Sequence, residues 1–150
     1  MDEGLEILTG LWGRQPFSYE GKHYTIKPTE FDPAPPPVQQ PRTPIWVVGV
    51  WPYRKSMARA LSYHGLLPYY KDGEIAAGVS QRQPSAPRYD IVVESDETPG
   101  DDPGRAGDMV RPWVEAGGTW WMEARWGRKA GPDLDALVSE RTRQGPPRVD

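Results

Sequence analysis

The sequence predicts an α/β fold in which about four strand–loop–helix units follow one another. An apolar run bounded by prolines, residues 45–50, is followed by a basic segment with helical spacing, residues 53–62. Similar runs at residues 89–94 and 119–124 are each followed by a helical pattern. Strands with a continuous apolar centre are typical of parallel sheets that are buried on both faces. We therefore expect a parallel sheet over most of the chain.

The N-terminal part predicts a short helix and a β-hairpin. Leu5, Leu8 and Leu11 share one helix face, and Gly13 ends the pattern. Apolar and polar residues then alternate on both sides of Gly21, as they do in a hairpin. The proline-rich residues 27–44 predict an extended connector.

The remaining elements follow in order. Residues 45–50 form the clearest strand, the helix after it packs through Met57 and Leu61, and residues 65–68 form a short second strand. Glycines and prolines interrupt residues 71–88, where a parallel crossover needs a helix. After the strand at 89–94, Asp102 and Pro103 mark the N-terminus of a helix. The strand at 119–124 precedes a last helix, which Gly145 ends.

Length and composition exclude several classes of function. The chain has 150 residues, a net charge of −3 and no cysteine, so we expect one domain over residues 1–150. Basic residues are scattered, which argues against nucleic-acid binding. The absence of cysteine excludes thiol catalysis, and two distant histidines do not make a metal site. No apolar run is long enough to span a membrane, and the acidic N-terminus differs from a signal peptide, so the cytoplasm is the expected compartment.

The order of these segments resembles the C-terminal half of the luciferase-like, flavin-dependent monooxygenase family. Each segment is a weak signal by itself, and the resemblance rests on their order and spacing. It covers most of the chain outside residues 71–88 and is carried by residues 3–12, 17–24, 35–41, 45–49, 93–103 and 116–121.

The resemblance implies a partial (β/α)₈ barrel of the TIM type, with about four βα units and an inserted β-hairpin. It implies reduced FMN or the deazaflavin F420 as the cofactor, a small-molecule substrate, and flavin-dependent monooxygenase activity. A complete barrel needs about 250 residues. The expected partner is therefore a second copy of the chain or a missing N-terminal half.

The expected cofactor-binding residues follow the clearest strand. Gly49, Val50 and Trp51 lie at its C-terminal end, where a glycine lets a flavin or phosphate approach backbone N–H groups. Arg54 supplies a positive charge nearby. This assignment rests mainly on the family, and the alternative is a glycine needed only for a tight strand-to-helix turn. No catalytic residue is assigned.

Other candidate residues have simpler explanations. Glu94 and Glu123 end two strands and would suit a glycoside hydrolase, but each could equally be solvated or pair with a basic neighbour such as Arg125. His64 and His23 suit a capping and a surface role better than proton transfer. The tryptophans at 120, 121 and 126 suit core packing better than flavin stacking. A non-catalytic scaffold or interaction domain derived from the same fold is the alternative function.

Overall fold

The chain divides into two units, Met1–Pro44 and Ile45–Asp150, in this computed structural model. The structure describes residues 1–13, 15–30, 38–40, 42–70, 89–96, 98–127, 129 and 131–149. The single domain expected over residues 1–150 stays a prediction. No helix in these ranges is both long and apolar enough to cross a membrane.

The first unit contains the expected helix and hairpin. Helix α1 spans Asp2–Leu11, and strands β1 (Phe17–Glu20) and β2 (Thr25–Thr29) pair antiparallel. The connector expected from residue 27 onward is therefore wrong at its start, because β2 continues through Pro28. Proline is tolerated in an edge strand, where its missing N–H breaks no ladder. Residues 31–37 and 41 of that connector lie outside the described residues.

A single carboxylate joins α1 to the hairpin turn. Glu3 accepts hydrogen bonds from the backbone N–H groups of Lys22 (3.0 Å), His23 (3.0 and 3.2 Å) and Tyr24 (3.1 Å). Desolvation by itself would raise the pKa of Glu3, but these N–H groups stabilise its ionised form and hold that pKa below its ordinary value. The turn is therefore ordered by charge-assisted hydrogen bonds.

The second unit is built on a four-stranded parallel sheet. Its strand order is β3-β4-β5-β6, and each neighbouring pair runs parallel. This confirms the α/β class and the parallel direction of the strands. The predicted crossover at residues 71–88 lies outside the described residues. The elements in chain order are β3 (Trp46–Trp51), α2 (Arg54–Leu61), β4 (Gly65–Tyr70), β5 (Asp90–Ser95), α3 (Pro103–Glu115), β6 (Trp120–Glu123) and α4 (Pro132–Gln144).

The core lies between the sheet and its helices. The fully buried side chains of Leu66 and Ile91 come from the two central strands and face the helices, whose buried residues include Ala60 and Val110. Their small or branched side chains allow helices to approach a pleated sheet closely. Val92 of the central strand β5 is also fully buried but lies on the opposite face of the sheet. The core therefore sits on the central strands.

The helix boundaries follow the predicted signals. Asp102 caps α3 by accepting a hydrogen bond from Arg105 N–H at 3.0 Å, and Pro103 occupies the first helical position. Gly145 follows α4 with a φ of 77°, a conformation that glycine adopts without strain. Both predictions are confirmed.

Two tryptophans meet across the opposite face of the sheet. The rings of Trp46 in β3 and Trp120 in β6 lie 5.5 Å apart, although these strands are the two edges. In a flat sheet, three strand spacings would separate them by about 14 Å. The sheet is therefore curled, and we call this side, which carries Trp46, Val48, Leu67, Tyr69 and Trp120, the concave face.

We expect Glu3→Gln to loosen the hairpin turn. The substitution removes the negative charge that attracts three backbone N–H groups, so amide exchange at residues 22–24 should be faster. Glu20→Gln, which changes an exposed carboxylate of the same hairpin, is the control. Hydrogen exchange followed by NMR measures the protection of each amide.

The same contact should depend on pH. Because the pKa of Glu3 is lower in the folded chain, its contribution is complete above about pH 4.5, the ordinary value, and is lost as the pH falls through the folded pKa. Protection factors at residues 22–24 should therefore fall in wild type below that pH and stay constant in Glu3→Gln. Equal pH dependence in both proteins would contradict this account.

Candidate functional site

The parallel sheet brings the C-terminal ends of its four described strands to one edge. Strands β3, β4, β5 and β6 all run in the same direction, so their C-terminal ends lie together. Parallel α/β proteins bind their ligands at this edge, because the loops there vary without disturbing the sheet. It is therefore the candidate functional site.

Gly49 faces helix α2. A Cβ at this position would overlap Leu66 Cδ1 and would lie 3.0 Å from Met57 Sδ and 3.3 Å from Ala60 Cβ. The absence of a side chain lets α2 approach β3. Close helix–strand packing thus accounts for this glycine, and its contact with a flavin stays a prediction.

Two hydrogen bonds hold the turn from β3 into α2. Val50 N–H donates to Ser56 Oγ at 2.9 Å, and Tyr53 N–H donates to the Val50 carbonyl at 2.9 Å. Trp51 is half-buried, whereas Arg54 is exposed in the first turn of α2. Arg54 is the one charged residue among the four expected to bind cofactor, and its side chain is exposed to solvent.

A half-buried ion-pair cluster stands at the other end of the same edge. Glu123 ends β6 and bonds Arg125 Nη2 at 3.2 Å and Arg141 Nε at 2.5 Å. Arg141 also donates to the Gly145 carbonyl at 2.5 Å. All three charged side chains are at most 15% exposed. The cluster therefore joins β6, its loop and the C-terminal end of α4.

Glu94 and Glu123 do not form a carboxylate pair. Glu94 is in register with Met122, so it shares a face with that residue, whereas Glu123 is in register with Ser95 on the other face. Glu123 is also occupied by two arginines, as the simpler interpretation predicted for Arg125. Both carboxylates line one opening at the edge of the sheet, but they occupy opposite faces of their strands, because neighbouring positions along strands alternate between faces.

Neither histidine belongs to the C-terminal strand ends that form the candidate site. His64 Nδ1 accepts a hydrogen bond from Ile45 N–H at 3.1 Å, immediately before β3. This places it at the N-terminal end of the sheet, away from the candidate site, as the sequence predicted. His23 is exposed in the hairpin turn. Across the described ranges, acidic and histidine side chains form no group that could hold a metal ion.

The concave face contains a polar contact that the sequence analysis missed. Trp46 Nε1 donates to Asp90 Oδ2 at 3.0 Å, and the indole lies over Gly65, where a Cβ would overlap Trp46 Cδ1. These residues lie at the N-terminal ends of β3, β4 and β5. The sequence signal for this contact was Gly65 at the start of β4, which lies in register with Trp46 at the start of β3.

The chain matches no family model, no curated protein and no solved structure.

We expect Gly49→Ala to destabilise the second unit. The added methyl group meets Leu66, which is fully buried, and Met57, and overpacking of this kind costs about 1–3 kcal/mol. Gly127→Ala, at a position with nothing within 4 Å, is the matched control. Urea unfolding monitored by circular dichroism measures both. An unchanged midpoint for Gly49→Ala would contradict the packing explanation.

We expect Glu123→Gln to destabilise the chain by about 1.5–3 kcal/mol, because charged hydrogen bonds to two arginines are weakened. Glu140→Gln is the control, because Glu140 pairs with Arg143 on the exposed side of α4, where such pairs contribute about 0–1 kcal/mol. Equal effects of the two substitutions on urea unfolding would show that the Glu123 ion pairs stabilise the chain no more than an exposed ion pair does.

Proposed function

We propose that the chain is a partial member of the luciferase-like, flavin-dependent oxidoreductases and binds FMN or F420 at the C-terminal edge of its sheet. The observation that supports this most is the run of parallel strands β3 to β6, in the order that the resemblance implies. On this proposal, the four strands are half of a (β/α)₈ barrel. The compartment is the cytoplasm, in keeping with the lack of cysteine.

The residues after β3 have separate tasks in this proposal. Arg54 provides the positive charge for the flavin phosphate or its equivalent, and α2 directs its N-terminus to the same place. Trp51 offers an indole beside that position. Gly49 acts indirectly, because it lets α2 pack close enough to fix the loop. These residues suit an anionic cofactor that carries an aromatic ring.

The flavin supplies the redox chemistry when it is bound, and the chain orients it and limits access of water. The hydrogen bonds of Val50 and Tyr53 fix the loop before any ligand arrives. A fixed loop reduces the entropy that binding must overcome. The substrate is a small molecule that enters from the same edge.

One observation favours the second candidate, a non-catalytic interaction domain. The concave face exposes large apolar side chains, including Tyr69 at 60% and Trp120 at 54%. Exposed apolar patches mark interaction surfaces. A domain of this kind would retain the sheet and bind neither flavin.

A flavin titration separates the two candidates. We expect wild-type protein to quench the fluorescence of FMN or of F420 at micromolar concentrations. Arg54→Ala should weaken that binding about tenfold, which corresponds to about 1.4 kcal/mol, because one charge-assisted contact is lost.

Lys55→Ala is the control, since it removes the same charge from the neighbouring exposed position of α2. If neither flavin is quenched by folded protein, the flavoprotein proposal fails and the interaction domain is favoured. If both variants weaken binding equally, a general charge effect replaces the specific role of Arg54.

A further inference from the structure

Edge strand β6 borders a groove of about 1160 Å³ that lies beside helix α4. Trp121 and Met122 of β6 line it from one side, and Leu134 and Val138 of α4 line it from another. The Arg141–Glu123 ion pair joins the two elements at one end. The groove is thus mainly apolar along its length and charged at its end.

The packing of helix α2 indicates what normally lies beside a strand and beneath the helix that follows it. Helix α2 contacts both β3, the strand that it follows, and β4, the next strand of the sheet. Right-handed crossovers place each helix over two neighbouring parallel strands in this way. By the same geometry, α4, which the Arg141–Glu123 ion pair joins to β6, would lie over β6 and the position beyond it. Because the groove borders β6 at this position, it is suited to one more parallel strand.

Strand β3, at the other edge of the sheet, is uncharged and apolar and is therefore suited to pair with β6 in the groove. Strand β3 has the sequence Trp-Val-Val-Gly-Val-Trp, which carries no charge, and pairs only with β4 among the described strands. Uncharged edge strands of this length readily pair with another chain. On the concave face, Trp46 is 37% exposed and Val48 is 45% exposed, so both gain from being covered.

The number of strands and the curl of the sheet indicate that the added strand comes from a second copy of the chain. The Trp46–Trp120 contact shows that the sheet is already curled. Parallel sheets of this kind close at eight strands, which is twice the four that the described residues form. A two-fold axis along the barrel would place β3 of each copy beside β6 of the other, and both edges would be satisfied by one repeated interface.

We propose that the groove beside β6 accepts strand β3 of a second copy of this chain, so that two copies form an eight-stranded parallel barrel with their concave faces inside. The main-chain groups of the two edges supply the pairing, and the apolar side chains of the concave faces supply the burial. The proposal does not depend on flavin, because it rests on the strands and the groove alone.

Light scattering coupled to size-exclusion chromatography tests the assembly without any cofactor. Wild-type protein should elute at twice the chain mass of 16.9 kDa at micromolar concentration. Val48→Lys places a charge inside the proposed barrel and should weaken the dimer by about tenfold or more. Met109→Lys is the control, because Met109 is 37% exposed on α3 and does not line the groove.

Hydrogen exchange on wild-type protein provides a test that needs no variant. Amides of β3 and β6 should become more protected as the protein concentration rises, while amides of α3 should not change. A compact wild-type monomer, or a dimer that Val48→Lys leaves intact, would overturn the proposal. So would strand edges that gain protection only when a different polypeptide is added.

Discussion

The need to cover both faces of a parallel sheet governs this molecule. Helices cover one face, and α2 approaches it closely at Gly49, where a Cβ would overlap Leu66. The concave face has no such layer among the described residues and keeps Val48 and Tyr69 exposed. Burial of apolar surface is the main favourable term in folding. A sheet with one exposed apolar face is therefore stabilised by any partner that covers that face, and the proposed assembly rests on this.

Trp46 partly compensates for the missing cover. Its indole lies over Gly65, donates a hydrogen bond to Asp90 and reaches the ring of Trp120 on the opposite edge. One large side chain thus connects all four strands at their N-terminal ends. The proposed binding site lies at the opposite, C-terminal ends, and βα folds usually separate stability and function in this way.

The candidate site could be predicted only in part. The apolar run at residues 45–50 located its loop, and Arg54 is exposed there as a ligand contact requires. The function of Gly49 could not be read from the sequence, because a glycine near a helix serves ligand approach and helix packing equally well. The overlap that a Cβ would make with Leu66 accounts for the glycine by packing, and ligand approach stays a prediction. Glu123 was likewise a candidate catalytic residue until its bonds to two arginines were known.

The sequence by itself determined the order of helices and strands, the hairpin around Gly21 and the Asp102 cap, since these depend on local hydrogen bonding and on the spacing of apolar residues. Only the tertiary structure decided the curl of the sheet, the face that each strand residue occupies and the partners of charged side chains. Those features depend on strand register. Register brings together residues such as Trp46 and Trp120, which are far apart in the chain, and no local pattern encodes that pairing.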